Sequence, residues 1–250
     1  MAQATTDELI RADEAFAGNR LLSTLNREAR GLIEPFGEMV ELASGQIVLN
    51  RGEQVRSSLF PVGPTMISMS VELSGGRSAE VASVGREGAV GGIVSCGHAP
   101  AFARAVVLVP GSAFRVSMNA LEEAKSRSPF IGNLFCRFSD YLLSQVMQSA
   151  ACNAFHSISQ RAARWLLHAQ DRAGDRIELT QEAFAGLLGV QRTTVNAVIG
   201  ELQEEGLIAT GRGNIRIVDR VGLKRRACEC HDRLQNHFNA VIGSSGASGE

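Results

Sequence analysis

The chain has 250 residues, of which 44% are hydrophobic and 20% charged, and its formal net charge is −1. This length suits about two domains of ~100–200 residues each, and the composition is that of an ordinary globular protein. There is no run of ~20 apolar residues and no charged leader followed by an apolar stretch, so we expect neither a membrane span nor a signal peptide. The five cysteines are scattered and odd in number, which favours reduced thiols in a cytoplasmic protein over a disulfide framework.

The charge is distributed unevenly along the chain. Residues 151–226 hold eleven Lys and Arg against eight Asp and Glu, whereas the remainder is net acidic. A DNA-binding module at the C-terminal end requires an asymmetry in this direction. The excess is small and supports such a module only together with other signals.

The first part of the chain shows no strand pattern. Residues 1–18 are polar, Ala-rich and unpatterned, so we expect a disordered leader. Residues 20–36 then show leucines at helical spacing, and this segment is closed by Pro35.

Short strands separated by glycine turns are predicted next. Residues 67–73 alternate apolar and polar side chains, as in a half-buried strand, and residues 78–84 resume the strand pattern. We therefore expect a β-hairpin with its tip at Gly75-Gly76. Residues 103–109 are apolar almost throughout, which suits a strand covered on both faces. Many short strands at this spacing favour a sandwich or a barrel.

A long amphipathic helix is predicted in the middle of the chain, where the pattern becomes helical after Gly111. Ser128 fits its N-cap and Pro129 its first helical position. The apolar stripe that we assign to the dimer interface consists of Ile131, Leu134, Phe138, Leu142 and Val146. This stripe is too apolar to face water and too long for one small domain to cover, so we expect it to pair with its copy in a two-fold dimer. A second helix is expected over residues 157–172, ending at Gly174.

Residues 179–218 carry the most informative pattern. Thr180 fits the N-cap of a short amphipathic helix, and Gly189 can adopt the left-handed conformation of a sharp turn after it. A second helix is predicted over residues 191–205, with Gly206 ending it. Two helices joined by a tight turn that contains glycine form a helix-turn-helix.

The second of these helices begins with polar, non-acidic side chains, as a helix that contacts bases in the major groove requires. The residues after it predict a small hairpin with a basic tip at Arg212, which would lie against phosphate as a wing. The predicted DNA-contacting residues are Thr180, Gln181, Gln191, Arg192, Thr193, Thr194, Asn196, Arg212 and Arg216.

The order of these parts resembles the Crp/Fnr family of regulators over residues 20–230 or so. The motifs that carry the resemblance are NRLL at 19–22, GQIV at 45–48, RGE at 51–53, VGREGAVG at 84–91 and SQRAARWLL at 159–167. The resemblance implies an α+β fold with an N-terminal β jelly roll of the cyclic-nucleotide-binding type, a long dimerisation helix and a C-terminal winged helix-turn-helix. The implied boundaries are 1–18 for the leader, 19–120 for the jelly roll, 121–153 for the dimerisation helix, 154–222 for the winged helix-turn-helix and 223–250 for a C-terminal helix and tail.

The effector region departs from the family pattern. Members that bind cyclic AMP have a Glu two residues after a Gly and later an Arg-Ser/Thr pair. Here the first stretch is GGIV at 91–94, without the Glu, and Ala and Phe stand near the position of the pair, at 101–102. An unneutralised phosphate in a partly buried pocket is costly, so we expect no binding of cyclic AMP. Arg104 is either a substitute phosphate ligand or an outward-facing arginine, and the candidate effector pocket consists of Gly91, Gly92 and Arg104.

The recognition helix departs from the family pattern too. The best-known members contact DNA with an Arg-Glu pair and a second Arg, whereas this chain keeps Arg192 and has Thr193 and Ala197 at the other two positions. Arg192 can still make a bidentate contact to guanine, so we expect a target different from the cyclic-AMP-responsive consensus. Gln191 is either a base or phosphate contact or a plain surface residue.

The sequence does not favour metal or redox chemistry. Oxygen-sensing members of the family bind an iron–sulfur cluster through N-terminal cysteines, and residues 1–95 contain no cysteine. The segment CECH at 228–231 offers one pair of thiols, with His231 and His237 as the nearby histidines, whereas a zinc site needs four ligands. An ordinary helix is indicated instead by the apolar spacing of Leu223, Ala227, Leu234 and Phe238. We therefore expect no metal and no cofactor.

No GxSxG, HExxH or GxxxxGK[ST] motif occurs, and the glycines between residues 85 and 92 suit turns rather than a phosphate loop, so we expect no enzyme. The sequence thus predicts a cytoplasmic regulator that binds double-stranded DNA as a homodimer, with RNA polymerase as a further partner. It is either active without an effector or responds to an unidentified small molecule. The alternative is a ligand- or redox-sensing module whose helix-turn-helix is vestigial. Exposed Arg192 and the basic wing argue against that alternative.

Overall fold

The computed structural model describes residues 13–74, 78–92 and 99–243. The first twelve residues of the predicted leader, the predicted hairpin tip at Gly75-Gly76, residues 93–94 and Cys96 lie outside these ranges. Within them the chain forms an N-terminal β-sandwich, a long helix and a C-terminal helical domain with a small sheet.

The segment before the first strand consists of short helical pieces. Residues 13–18 are helical and bury Ala15 and Phe16, so the prediction of a disordered leader is wrong for this part. Residues 20–36 do not form one helix either. They form a 3-10 helix (Leu22–Thr24), α1 (Arg27–Gly31) and a second 3-10 helix (Glu34–Phe36).

Asn19 attaches this N-terminal segment to the sandwich. Its side chain is fully buried, and its Oδ1 accepts hydrogen bonds from the backbone N–H groups of Leu21 and Leu22, both at 3.0 Å. Its amide nitrogen donates to the carbonyl oxygens of Pro61 and Gly88, both at 2.9 Å. The motif NRLL is therefore a structural anchor, because a buried amide is stable only when its donors and acceptors are satisfied.

Two antiparallel sheets form the N-terminal domain. Its strands are β1 (Gly37–Leu42), β2 (Ile47–Leu49), β3 (Ser57–Val62), β4 (Met66–Glu72), β5 (Ser78–Val84), β6 (Arg104–Val109) and β7 (Gly111–Ser117). One sheet has the order β1-β7-β3 and the other the order β2-β6-β4-β5. Phe60 and Phe114 of the first sheet share one buried core with Ile67 and Val107 of the second. This arrangement agrees with the predicted jelly roll.

The alternating patterns predicted β4 and β5 correctly, since these strands pair antiparallel from Ile67 opposite Val84 to Glu72 opposite Ser78. The expectation of helical structure directly after Gly111 is wrong. That residue begins β7, the central strand of its sheet, and the helix starts only after Ser117, whose hydroxyl caps α2 (Met118–Arg127).

The long helix, α3 (Pro129–Phe155), begins as predicted, with the Ser128 hydroxyl accepting from the backbone N–H of Ile131. Ile131, Leu134 and Phe138 are fully buried in the sandwich core of the same chain. They are not available to a second copy, so their assignment to a dimer interface is wrong. Among the described residues, no helix is both long and apolar enough to span a membrane.

The C-terminal domain packs helices on a small sheet. Its elements are α4 (Ile158–Ala173), β8 (Arg176–Ile177), α5 (Gln181–Leu188), α6 (Arg192–Glu204), β9 (Ile208–Gly211), β10 (Asn214–Ile217) and α7 (Arg220–Arg226). The last helix, α8 (Cys230–Val241), packs against α3, and its Phe238 is buried in the sandwich core. A capping box of Ser157 and Gln160 starts α4, and Gly174 ends it. Leu223 of α7 belongs to this domain's core, so the predicted boundary at residue 222 is wrong, because it divides α7.

Polar contacts join α4 to the sandwich. The guanidinium of Arg172 pairs with the carboxylate of Glu87, which follows β5, at 2.6 Å, and both side chains are almost completely buried. The indole N–H of Trp165 donates to Glu80 of β5 at 2.8 Å, and the same carboxylate accepts from the hydroxyl of Ser68 at 2.6 Å. These contacts fix the C-terminal domain against one edge of the sandwich.

Candidate nucleic-acid interface

The turn between α5 and α6 has the geometry that its sequence predicts. Thr180 caps α5 by accepting from the backbone N–H of Ala183 at 3.1 Å. Gly189 ends the helix at φ 68° and ψ 34°, a left-handed conformation that side chains with a Cβ rarely adopt. This glycine lets the chain turn sharply into α6, which gives the two helices the relation of a helix-turn-helix.

The two faces of α6 differ in polarity. Val195, Val198, Ile199 and Leu202 are buried in the domain core, as predicted. Gln191, Arg192, Thr193 and Asn196 are exposed on the opposite side and Thr194 is half-buried. Gln191 occupies the N-cap position without a side-chain capping bond. The start of α6 therefore presents hydrogen-bonding side chains to a ligand outside the protein.

The predicted wing is present as the β9–β10 hairpin. Its register runs from Ile208 opposite Ile217 to Gly211 opposite Asn214, so that Arg212 and Gly213 form the tip. Arg212 is exposed, and so is Arg216, which faces Arg176 of β8 across the sheet. The hairpin thus carries the exposed positive charge that a contact to phosphate requires.

A groove of about 380 Å³ lies between the first turn of α5, the start of α6 and the wing. Thr180, Gln181 and Arg192 line it together with Thr210 and Asn214 of the wing. The fold therefore brings together side chains that are more than thirty positions apart in the sequence.

Glu182 also lines this groove, and the sequence pattern did not single it out. Its carboxylate Oε2 lies 3.9 Å from Nη1 of Arg192, and both side chains are mostly exposed. Exposed ion pairs contribute little to stability. Glu182 is more important for the charge of the groove, because it reduces the positive potential beside Arg192.

The two glycines and the arginine of the candidate effector pocket have different structural roles. Gly91 and Gly92 have φ angles of 97° and 58°. A Cβ on Gly91 would lie 2.4 Å from the carbonyl oxygen of Ser57, and a Cβ on Gly92 would lie 2.0 Å from the sulfur of Met118. The fixed backbone contact at Gly91 and the positive φ at both positions favour glycine. Arg104 forms an ion pair of 3.1 Å with Glu72 at a partly exposed position, which fits the outward-facing alternative. A role of these residues in binding an effector stays a prediction.

Comparisons with known proteins agree with this geometry. Residues 160–226 match the family model described as the Crp-like helix-turn-helix domain. The chain is 42% identical over 52 residues to the HTH-type transcriptional regulator Cmr of Mycobacterium tuberculosis, a match that spans only 21% of either chain. It is 24% identical over 208 residues to the global nitrogen regulator of Synechococcus elongatus, covering 74% of this chain and 93% of that protein.

Among solved structures, a transcriptional regulator of the CRP/FNR family from Thermus thermophilus superposes with a TM-score of 0.62 at 21% identity, covering 76% of this chain and 98% of the other. The family resemblance inferred from the sequence is confirmed. Residues 160–226 match the Crp-like helix-turn-helix domain, and the chain as a whole has the fold seen in a regulator of the CRP/FNR family.

Proposed function

We propose that the protein is a sequence-specific DNA-binding transcription regulator that acts as a homodimer on a pseudo-palindromic operator. The observation that carries the proposal is that Arg192, at the exposed polar start of α6, lines one groove with the wing, whose tip exposes Arg212. In this arrangement α6 enters the major groove and the wing lies along the phosphates. RNA polymerase and a small-molecule effector remain expected partners.

Arg192 is the residue that we assign to base recognition. It is at the first position of α6, and its side chain is 63% exposed. A guanidinium can donate two hydrogen bonds to the O6 and N7 atoms of guanine. Glu182 forms a loose ion pair with Arg192 in the free protein, and both residues line the groove.

The proposed dimer surface is a second stripe on α3, on the side opposite the sandwich. Its exposed members are spaced by four and three residues alternately, which is the heptad spacing of a coiled coil. They are Cys136, Asp140, Leu143, Met147, Ala150 and Ala154, named here the exposed seam. Leu143 and Met147 are 55% and 58% exposed, which is unusual for large apolar side chains on a helix of this length.

The exposed seam replaces most of the stripe that the sequence predicted. Leu142 is half-buried beside the sandwich core and Val146 is 38% exposed at the border of the seam, so Val146 stays a candidate for the interface. The small side chains of Ala150 and Ala154, at the C-terminal end of the exposed seam, allow two helices to approach closely. A parallel pair of α3 helices places two copies of α6 on the same side of a dimer, as binding to two half-sites requires.

Substitution in the groove tests DNA recognition. Arg192→Ala should weaken binding by about 1–3 kcal/mol per half-site and relax the preference at one base pair. Arg212→Ala should weaken binding to all sequences equally and reduce the slope of log K against log salt by roughly one unit for each phosphate that the wing no longer neutralises. Binding of both variants to matched and scrambled operators is measured at several salt concentrations. If Arg192→Ala leaves the ratio of specific to non-specific binding intact, base recognition by this residue is refuted.

Substitution in the exposed seam tests assembly. Leu143→Asp buries two charges against each other in the proposed interface, so it should produce monomers in sedimentation and abolish operator binding. Leu73→Asp is the matched control, because Leu73 is 57% exposed at the end of β4, away from the seam. A Leu143→Asp protein that remains dimeric would contradict the interface, whether or not it binds DNA.

A further inference from the structure

Three cysteines and a histidine converge at the joint between α3 and the C-terminal domain. Cys152 lies in the last turn of α3, and His156 directly follows that helix. Cys228 lies between α7 and α8, and Cys230 is the first residue of α8, more than seventy residues later in the chain. All three cysteines are buried, and the imidazole of His156 is 20% exposed. This set is named here the Cys3His cluster.

The distances within the Cys3His cluster are those between ligands of one tetrahedral metal ion. One ligand atom from each residue lies within 4.8 Å of all the others. The Sγ atoms of Cys152 and Cys228 are 3.6 Å apart, and Sγ of Cys230 is 3.5 Å from Nδ1 of His156. Bond lengths of ~2.3 Å to sulfur and ~2.0–2.1 Å to nitrogen place two sulfurs ~3.8 Å apart and a sulfur ~3.5 Å from a nitrogen in a tetrahedron around zinc. We propose that Cys152, His156, Cys228 and Cys230 bind a structural zinc ion.

The groups around the cluster support its ligands in this role. The second ring nitrogen of His156, Nε2, lies 3.4 Å from the carboxylate of Glu229, as in sites where a carboxylate orients a metal-bound imidazole. The side-chain amide of Gln148 donates to Sγ of Cys230 at 3.0 Å. Donors of this kind stabilise thiolates bound to a metal.

The charge of the site is also compensated. A zinc ion with three thiolates and a neutral imidazole has a net charge of −1. Arg164 of α4 acts electrostatically on both Cys152 and Cys228, and its buried Nε atom has no hydrogen-bond partner among the described residues. Zinc is favoured over harder cations because thiolate and imidazole ligands suit a borderline-soft ion, and four protein ligands fit a closed structural site.

The sequence pattern argued against zinc because only ligands near the CECH segment could be recognised from it. His231, the histidine of that segment, contacts Asp171 at 2.8 Å and Asp232 at 3.1 Å instead. The missing ligands, Cys152 and His156, are four residues apart, which puts both on one side of the end of α3. The expectation of no metal is therefore replaced by this proposal.

A zinc ion at this position would fasten the segment after the wing to the end of the long helix. The cysteines form a small core of their own, apart from the two main hydrophobic cores. Small local cores of this kind are often stabilised by a metal, because binding free energy becomes folding free energy. The site would thus hold the helix-turn-helix domain in a fixed place relative to α3.

The test begins with the metal content of the full-length protein, purified under reducing conditions. Elemental analysis should find about one zinc per chain, as one four-ligand site requires. Cys228→Ser and His156→Gln should lose the metal, whereas His237→Gln should keep it, since His237 is an exposed histidine of α8 outside the cluster. Zinc content is measured without DNA, so this outcome is independent of the proposed operator binding.

A second measurement needs no variant. Zinc is removed from the wild-type protein with a chelator and Co²⁺ is added, which should give the visible absorption of tetrahedral cobalt together with a thiolate charge-transfer band. The thermal midpoint should fall on chelation and return with Zn²⁺. Three results would overturn the proposal: reduced protein that binds neither Zn²⁺ nor Co²⁺, zinc retained in Cys228→Ser, or freshly purified metal-free protein with a Cys152–Cys228 disulfide by mass spectrometry.

Discussion

The buried ion pair between Arg172 and Glu87 determines how firmly the C-terminal domain is attached to the sandwich. Nη2 and Nε of the guanidinium lie 2.6 and 2.9 Å from the same carboxylate oxygen, and the two side chains are 6% and 10% exposed. Arg172 also donates to the carbonyl oxygens of His168 and Ser83. The substitution Arg172→Met retains much of the side-chain volume and removes every one of these donors.

The expected loss of stability is large because one charge stays behind. Removing one partner of a buried ion pair costs about 3–5 kcal/mol, since the other charge is left uncompensated. The carboxylate of Glu87 retains the backbone N–H of Gly85, at 3.1–3.2 Å, among its described partners. We therefore expect Arg172→Met to lower the free energy of unfolding by about 3–5 kcal/mol. The double variant Arg172→Met/Glu87→Gln should be more stable than the single variant, because a neutral amide is less costly to bury.

Urea unfolding followed by circular dichroism measures these differences. Arg176→Met is the matched control, since Arg176 forms an exposed ion pair with Glu178 and is itself 65% exposed. The control should change the free energy of unfolding by less than about 0.5 kcal/mol. A loss of under about 1 kcal/mol for Arg172→Met, or a double variant less stable than the single one, would refute the role assigned to the pair.

Two further substitutions test the core and the pH dependence. Phe138→Ala should lower the free energy of unfolding by about 3–5 kcal/mol, because the ring is fully buried in the sandwich core. Sedimentation of this variant should still find dimers, and a folded monomer would show that Phe138 belongs to the interface. The pKa of His168 lies well below its usual value, because the imidazole is buried and because Arg172, Arg164 and His231 act on it electrostatically. The folded protein therefore keeps this imidazole neutral, whereas the unfolded chain protonates it. The free energy of unfolding should therefore fall as the pH decreases below about 6.5, by up to ~1.4 kcal/mol per pH unit from this group. His168→Gln should reduce that slope, and identical slopes in urea titrations of both proteins would contradict this assignment.

The helix-turn-helix was predictable because its signals are local. Thr180 and Gly189 fix where α5 begins and ends, and the predicted second helix over residues 191–205 differs from α6 by one residue at each end. A capping hydroxyl or a left-handed glycine acts on its own backbone within a few positions. Tertiary packing therefore did not change these boundaries.

The exposed seam, which is the proposed dimer surface, was not predictable in the same way. Helical periodicity shows which positions of α3 are apolar, but it does not show which neighbour covers them. Ile131 and Leu143 are both apolar, yet the first is fully buried in the sandwich and the second is 55% exposed. The Cys3His cluster illustrates the same principle, since Cys152 and Cys228 are 76 positions apart and meet only in the fold.

A short joint between α3 and α4 connects the exposed seam to the domain that carries the candidate DNA-contacting groove. Only His156 and Ser157 separate the two helices, and the capping box of Ser157 starts α4 at once. In the proposed dimer, the exposed seam sets the relation of two α3 helices, and the joint then sets where each α6 lies relative to its own α3. The distance between two recognition helices must match half-sites about one helical turn, ~34 Å, apart. If the protein binds as proposed, base preference is determined on α6, while half-site spacing is determined at the joint, where the Cys3His cluster lies.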